Sequence, residues 1–312
     1  MISRRDLTCP LCSCRAGRDE RRLVGFQLVR CTECRFVYVW PRPSRDASRH
    51  SYATGAKGGA PAVSADDAAS EELMRAYDLE YTSYVRRSLA DRLRRVADGR
   101  PVQRMLDFGC GSGHFLGLAR DVLRCETYGV ELNPVGALGA RRFGFELHAG
   151  PLEDVPFGDA SFDLVYASQV FEHLPEPRAE LAVLCRLLAP GGRLYVEVPN
   201  YGSISIRVGR DRFASNTPPG HVNYFTPWTL RNLVESCGLG VRAVRTTGLN
   251  HRALLGRDAS QSDPGRTTTD PRTGHERSAS VLRSQLLWFI DTVLSIPGWG
   301  MQIEIIAERS AA

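Results

Sequence analysis

A chain of 312 residues, 43% of them hydrophobic, is long enough for one large α/β domain plus a small accessory module. No run approaches the roughly 18 apolar residues of a membrane-spanning helix, and Met1-Ile2-Ser3-Arg4-Arg5-Asp6 leads into cysteines, not into the apolar stretch of a signal peptide. The formal net charge of +5 gathers at the start, where the first 50 residues hold 11 arginines against 5 acidic residues; a nucleic-acid surface and a coding bias toward arginine, with Lys57 the only lysine, both account for it.

Nine cysteines without an export signal point to metal or buried thiols before disulfides, and to the cytoplasm. Cys9-Pro10-Leu11-Cys12 and Cys31-Thr32-Glu33-Cys34, with an 18-residue spacer, supply four thiolates that can converge tetrahedrally on Zn²⁺. The alternation over 21–30 predicts a hairpin between the knuckles, so residues 1–50 read as a structural zinc ribbon. Four free thiols, or Cys14 in place of Cys12, are the other readings. Phe36-Val37-Tyr38-Val39-Trp40 is an extended strand ended by Pro41 and Pro43. Small, polar, Gly- and Pro-containing residues make 51–70 a linker or lid. The spacing of Leu73, Tyr77, Tyr84, Val85, Leu89 and Val96 predicts a single helix over 71–97.

Next, an apolar run through Met105 and Leu106 meets Asp107-Phe108-Gly109-Cys110-Gly111-Ser112-Gly113-His114, and an apolar-periodic segment starts at Phe115. This is strand, glycine loop and helix N-terminus. A dinucleotide fingerprint needs its third glycine at position 114, which is histidine. The acid at Asp107 suits a cationic ligand and disfavours a pyrophosphate. A second strand over 127–131 ends in Glu131, 24 residues after Asp107, where a carboxylate can accept both ribose hydroxyls of an adenosine. Further strands are expected over 145–148, 161–168, 193–198 and 240–246, with a helix over 178–188 and another capped by Thr226 with Pro227 in its first turn. Residues 256–280 read as a disordered insertion and 281–294 as an amphipathic helix. A seventh strand over 301–307 would form an antiparallel edge.

The run from Leu106 to Phe115 closely resembles motif I of the class I S-adenosylmethionine (SAM)-dependent methyltransferases, hydrophobic-Asp-x-Gly-x-Gly-x-Gly. Glu131, the Phe162-Asp163-Leu164-Val165 strand and the Pro190-Gly191-Gly192 turn agree with that family in type and order. The cysteine-rich opening, ending in an aromatic strand and Pro41-Arg42-Pro43, resembles the ribbon that precedes many bacterial members. The resemblance implies a Rossmann-like, doubly wound, mostly parallel seven-stranded sheet over 71–312. SAM would be held over its carboxyl ends by Asp107, Gly109, Cys110, Gly111, Gly113, Phe115, Glu131, Leu132, Leu152, Glu153, Ser168 and Gln169. Where the family carries an adenine-contacting Asp this chain has Pro151, so the adenine amino group needs another acceptor, Glu153 or a backbone carbonyl. Tyr77, Tyr81 or Tyr84 would touch cofactor or substrate, or else form a packed stripe. His173 and His221 are candidate bases that also read as structural, and Asn223 and Tyr224 are substrate-side candidates. The implied acceptor is a small molecule. RNA methylation aided by the zinc module, and a non-catalytic fold whose ribbon binds a partner, are the alternatives.

Overall fold

The structure, a computed structural model, describes residues 7–23, 25–54, 68–208, 220–248 and 298–311. Most of the expected linker, part of the unpatterned stretch before His221, the expected insertion and the helix after it lie outside these residues.

The centre is β4 (Arg104–Phe108), flanked by β5 (Glu126–Val130) and β6 (Glu146–His148) on one side and by β7 (Phe162–Ser168) and β8 (Leu188–Pro199) on the other, all parallel. Beyond β8 come β11 (Gln302–Glu308) and then β10 (Gly240–Thr247), giving the order β10-β11-β8-β7-β4-β5-β6. β11 runs antiparallel to both of its neighbours. The expectation of an antiparallel edge is corrected in one respect: β11 is interior. Its Ile303, Ile305 and Ala307 are fully buried, while the half-exposed β10 takes the edge.

Period-two alternation splits the core into two layers. Met105, Leu164 and Tyr166 pack with Phe115, Leu93 and Val96 on one face, while Leu106, Val165 and Ala167 pack with Leu181 and Leu184 on the other. Asp163 fixes the entry to the central strand, since one carboxylate oxygen accepts from Gln103 N and Arg104 N at 2.8 and 2.9 Å. The crossovers are α4 (His114–Leu123), α5 (Val135–Phe143) and α6 (Pro177–Leu187). Since β5 and β6 lie on one side of β4 and β7 on the other, the chain reverses direction between β4 and β7. The loops after those two strands part there and open a crevice.

The single helix expected over 71–97 is two, α2 (Ala68–Glu80) and α3 (Ser83–Ala97), because the Thr82 side chain accepts from Val85 N and starts a new helix. Near the N-terminus, β1 (Gly17–Leu23) and β2 (Phe26–Cys31) form the expected hairpin, and β3 (Val37–Trp40) adds to it. A two-residue strand, β9 (Asn223–Tyr224), completes this sheet from far along the chain. The Arg42 guanidinium, just after β3, locks the junction. It donates to the carbonyls of Leu174, Pro175 and Val222 and to Asn223 Oδ1 at 3.0–3.1 Å. Then comes α1 (Arg45–Ala53), capped by Ser44, a helix that the sequence reading missed. Before β10, α7 (Pro227–Glu235) begins with the expected Thr226 cap and Pro227 at its first turn.

Candidate functional site

A cavity of about 170 Å³ opens at the crevice between the ends of β4 and β7. Its floor is Phe108 at the end of β4 with Gly109 after it, Val130 at the end of β5 with Glu131 and Leu132 after it, Gly150 to Leu152 after β6, and Gln169, Val170 and His173 after β7. Its roof is α1, through Arg45, Ser48, Arg49 and Tyr52.

The glycine loop is shaped for close approach. Gly109 has φ +80°, and a Cβ on it would stand 2.5 Å from Val170 Cγ2, so any side chain would be both strained and obstructed. Glu131 reaches back over the loop. Its Oε2 accepts from Gly111 N, and its Oε1 from Leu132 N and Asn133 N, each at 2.8 Å. A carboxylate has about four acceptor directions, so three are engaged and one, on Oε2, is left for a ligand hydroxyl. The Gly111 N–H is thereby withdrawn from anion binding.

Asp107, in β4 two residues before Gly109, is 5% exposed. Burial, and secondarily the charge of Glu131, push its carboxyl up to about 8. Burial likewise pushes Glu172 up to about 8. Unfolded, both groups titrate near pH 4, so between roughly pH 4 and 8 the folded chain keeps protons that the unfolded chain has released. Stability of the ligand-free chain should therefore fall as pH rises through that window. Thermal melting at pH 5 and pH 8 should give the lower midpoint at pH 8, and Asp107→Asn should flatten the difference.

Of the residues singled out from sequence, Gly109, Glu131, Leu132, Leu152, Gln169 and His173 line the cavity. The others take different places. Cys110 packs beneath the loop with Leu116 and Phe145. Phe115 sits in the core with its ring 4.3 Å from that of Tyr166. Gly111 and Gly113 shape the loop, both with positive φ. Ser168 donates to Glu197 Oε2 at 2.8 Å. Glu153 pairs with Arg45 and Arg49 on α1 and is taken up there. His221 stands behind His173, ring centroids 4.7 Å apart. Asn223 and Tyr224 belong to β9, where the Asn223 amide donates to Phe171 O and Leu174 O.

The tyrosines of the preceding helices do not line this cavity. Tyr81 stacks on His114 at 4.8 Å, Tyr77 packs beside it, and Tyr84 is exposed. His114, standing where a dinucleotide site needs glycine, bridges Ser112 Oγ and Asp78 Oδ1 at 2.9 Å each, so α2 is fastened to the glycine loop.

His173 Nδ1 lies 2.9 Å from Gly220 O. A carbonyl only accepts, so in the neutral ring Nδ1 carries the proton and Nε2 presents its lone pair. Nε2 is 3.8 Å from Glu172 Oε1, and both Glu172 oxygens are buried without a hydrogen-bond partner. Burial, then neighbouring His173, lower His221 to about 4, which leaves it neutral at pH 7.

In the ribbon, Cys9, Cys12, Cys31 and Cys34 bring their sulfurs within 4.8 Å of one another. Cys9 and Cys34 are 3.5 Å apart and Cys12 and Cys31 3.6 Å. Cys14 turns away, its sulfur accepting from Ala16 N. Among the described residues no helix is long and apolar enough to cross a membrane.

The chain matches the model of a methyltransferase-domain family over residues 81–244. It is 34% identical over 155 residues to a Mycolicibacterium smegmatis protein named "Probable S-adenosylmethionine-dependent methyltransferase", a match covering 48% of this chain and 56% of that protein. To malonyl-acyl-carrier-protein O-methyltransferase of Serratia marcescens it is 31% identical over 148 residues, covering 46% and 56%. The matched stretch thus spans about half the length of these curated relatives. Among solved structures, the cyclase SpnF superposes with a TM-score of 0.50 at 18% identity, covering 72% of this chain and 81% of that one. That similarity concerns the fold, which by itself does not assign a reaction.

Proposed function

The chain belongs to this methyltransferase-domain family, and from that premise we propose that it moves a methyl group from SAM to an O, N or C nucleophile on a small-molecule acceptor. The observation that carries the reading is the meeting of Gly109 and Glu131 in one cleft at the strand reversal, with Asp107 buried in β4 two residues before Gly109 and within the field of Glu131. Bare backbone, one unspent acceptor on Glu131 and a buried acid fit a cationic nucleoside and oppose a pyrophosphate. When bound, SAM supplies a methyl on a sulfonium, a leaving group already activated.

The chain's own residues then align and enclose. Glu131 Oε2 takes a ribose hydroxyl, Asp107 favours positive charge above the loop, and Leu132 and Leu152 flank the base. Asp107 should give up its proton as the cation binds, so SAM affinity rises with pH up to about 8 and levels off above it. α1 excludes water from the floor, which leaves orientation as the main catalytic contribution. His173 lines the cleft and is the proton acceptor when the nucleophile arrives protonated. His221 supports that ring from behind.

For the ribbon we propose structural Zn²⁺. Four sulfurs about 2.3 Å from a tetrahedral ion are about 3.8 Å apart, close to the 3.5 and 3.6 Å between the facing pairs. Metal analysis of the purified chain should find about one zinc per molecule, and Cys31→Ser should lower that content. A metal-free chain with an intact ribbon would contradict the assignment.

Retention on RNA is the less favoured reading, because Arg30, Arg42, Arg45 and Arg49 of the basic opening are engaged within the molecule. A transfer screen with methyl-labelled SAM against hydroxylated, amino and carboxyl-bearing metabolites, with RNA alongside, tests the reading. Label should pass to a small acceptor; transfer to RNA alone would overturn the acceptor class.

A further inference from the structure

The roof helix α1 lies across the cleft between two fixed points. Its Arg45 and Arg49 pair with Glu153, just past the floor residues Pro151 and Leu152, and at its other end the Tyr52 carbonyl accepts from Asn133 Nδ2 at 3.2 Å, just past Glu131. The middle of α1 therefore faces the span between the ends of β6 and β5, where Leu152 and Glu131 would hold an adenosine.

Three polar atoms of α1 at this roof are buried and unpartnered, and one of them, Tyr52 Oη, belongs to the residue that meets Asn133 at the far end of the helix. Ser48 is 3% exposed and its Oγ has no hydrogen-bond partner, and Arg45 Nε is in the same condition. Leaving buried polar atoms unpaired is costly, and both residues line the cavity. The floor opposite has few spare acceptors. The Pro151 carbonyl already faces His148 Nε2 and Asp154 N at 3.1 Å each, and Glu153 is taken by the arginines. One hydroxyl and one N–H three residues apart on a helix share a face, and they match the edge of adenine that presents an amino donor beside a ring-nitrogen acceptor.

We propose that Ser48 binds the cofactor by accepting a hydrogen bond from the adenine amino group, with Arg45 Nε donating to the neighbouring ring nitrogen. This rests on the SAM reading above. It makes the segment behind the thiolate ribbon part of the cofactor site.

The test measures binding of S-adenosylhomocysteine and of its purine counterpart, which carries hydrogen in place of the amino group, by calorimetry on the full chain. The unmodified chain should hold the adenine compound about five- to tenfold more tightly, the scale of one hydrogen bond. Ser48→Ala should remove that preference, weakening the adenine compound by the same factor and leaving the purine compound unchanged. Alanine is the strongest helix former, so the roof should persist, with thermal melting as the check. Equal weakening of both compounds would mark Ser48 as packing only, and no preference in the unmodified chain would place the amino group elsewhere; either overturns the proposal. An unmodified chain that binds neither compound overturns the cofactor reading itself, and this proposal with it.

Discussion

Glu131→Ala is expected to weaken binding of S-adenosylhomocysteine by about a hundredfold. A hydrogen bond to a charged group contributes roughly 1.5–3 kcal/mol, which is about ten- to 150-fold in affinity. The substitution removes more than that one bond. Gly111 N, Leu132 N and Asn133 N all lose the acceptor that holds them, so the glycine loop and the turn after β5 lose their common anchor. Glu131→Gln keeps the shape and one carbonyl acceptor but turns the other oxygen into a donor facing backbone N–H groups, so it should recover little. Calorimetry reads the loss. Thermal melting separates a damaged loop from an unfolded chain.

Arg42→Ala is the second large effect, and it falls on stability. The guanidinium is buried, and burial lowers its pKa to about 10, which leaves it charged at neutral pH. Its bonds join the strand leaving the ribbon to three carbonyls and to Asn223 of the main domain. Truncation strips Pro175 O and Asn223 Oδ1 of their donor, at a cost of roughly 1–3 kcal/mol for each orphaned acceptor, while Leu174 O and Val222 O keep the Asn223 amide and Val39 N. Arg42→Lys should rescue little, since one ammonium cannot reproduce a planar fork. Urea denaturation measures the loss. Because α1 begins three residues further on, cofactor affinity should fall with it.

The parts legible in the sequence were those written in local chemistry. The glycine loop, Glu131 at the end of β5 and the knuckle spacing of the four cysteines each need particular residue types at fixed intervals. Asp163 was legible as part of a pattern, although its bonds to Gln103 N and Arg104 N emerge only once β7 lies beside β4.

What was missed depends on tertiary partners. α1 is nine residues long and strongly polar, and its readable signal was Ser44 followed by Asp46 in the first turn. β9 has two residues and exists because β3 offers it an edge. The interior position of β11 is a matter of strand order, which its apolar alternation does not encode. The break between α2 and α3 was marked by Thr82, but tyrosines on both sides kept the apolar phase and hid it. The acceptor proposed above for the adenine amino group, Ser48, is distant in the chain from Pro151 and shares the cavity with it only in the folded chain.

A crystal structure of the chain with S-adenosylhomocysteine tests the central claim most directly. The account predicts the ribose within hydrogen-bonding distance of Glu131 Oε2, the homocysteine part over Gly109 and Asp107, and the base between Leu152 and α1. Ligand density outside this cleft, or a ribose turned away from Glu131, would contradict it.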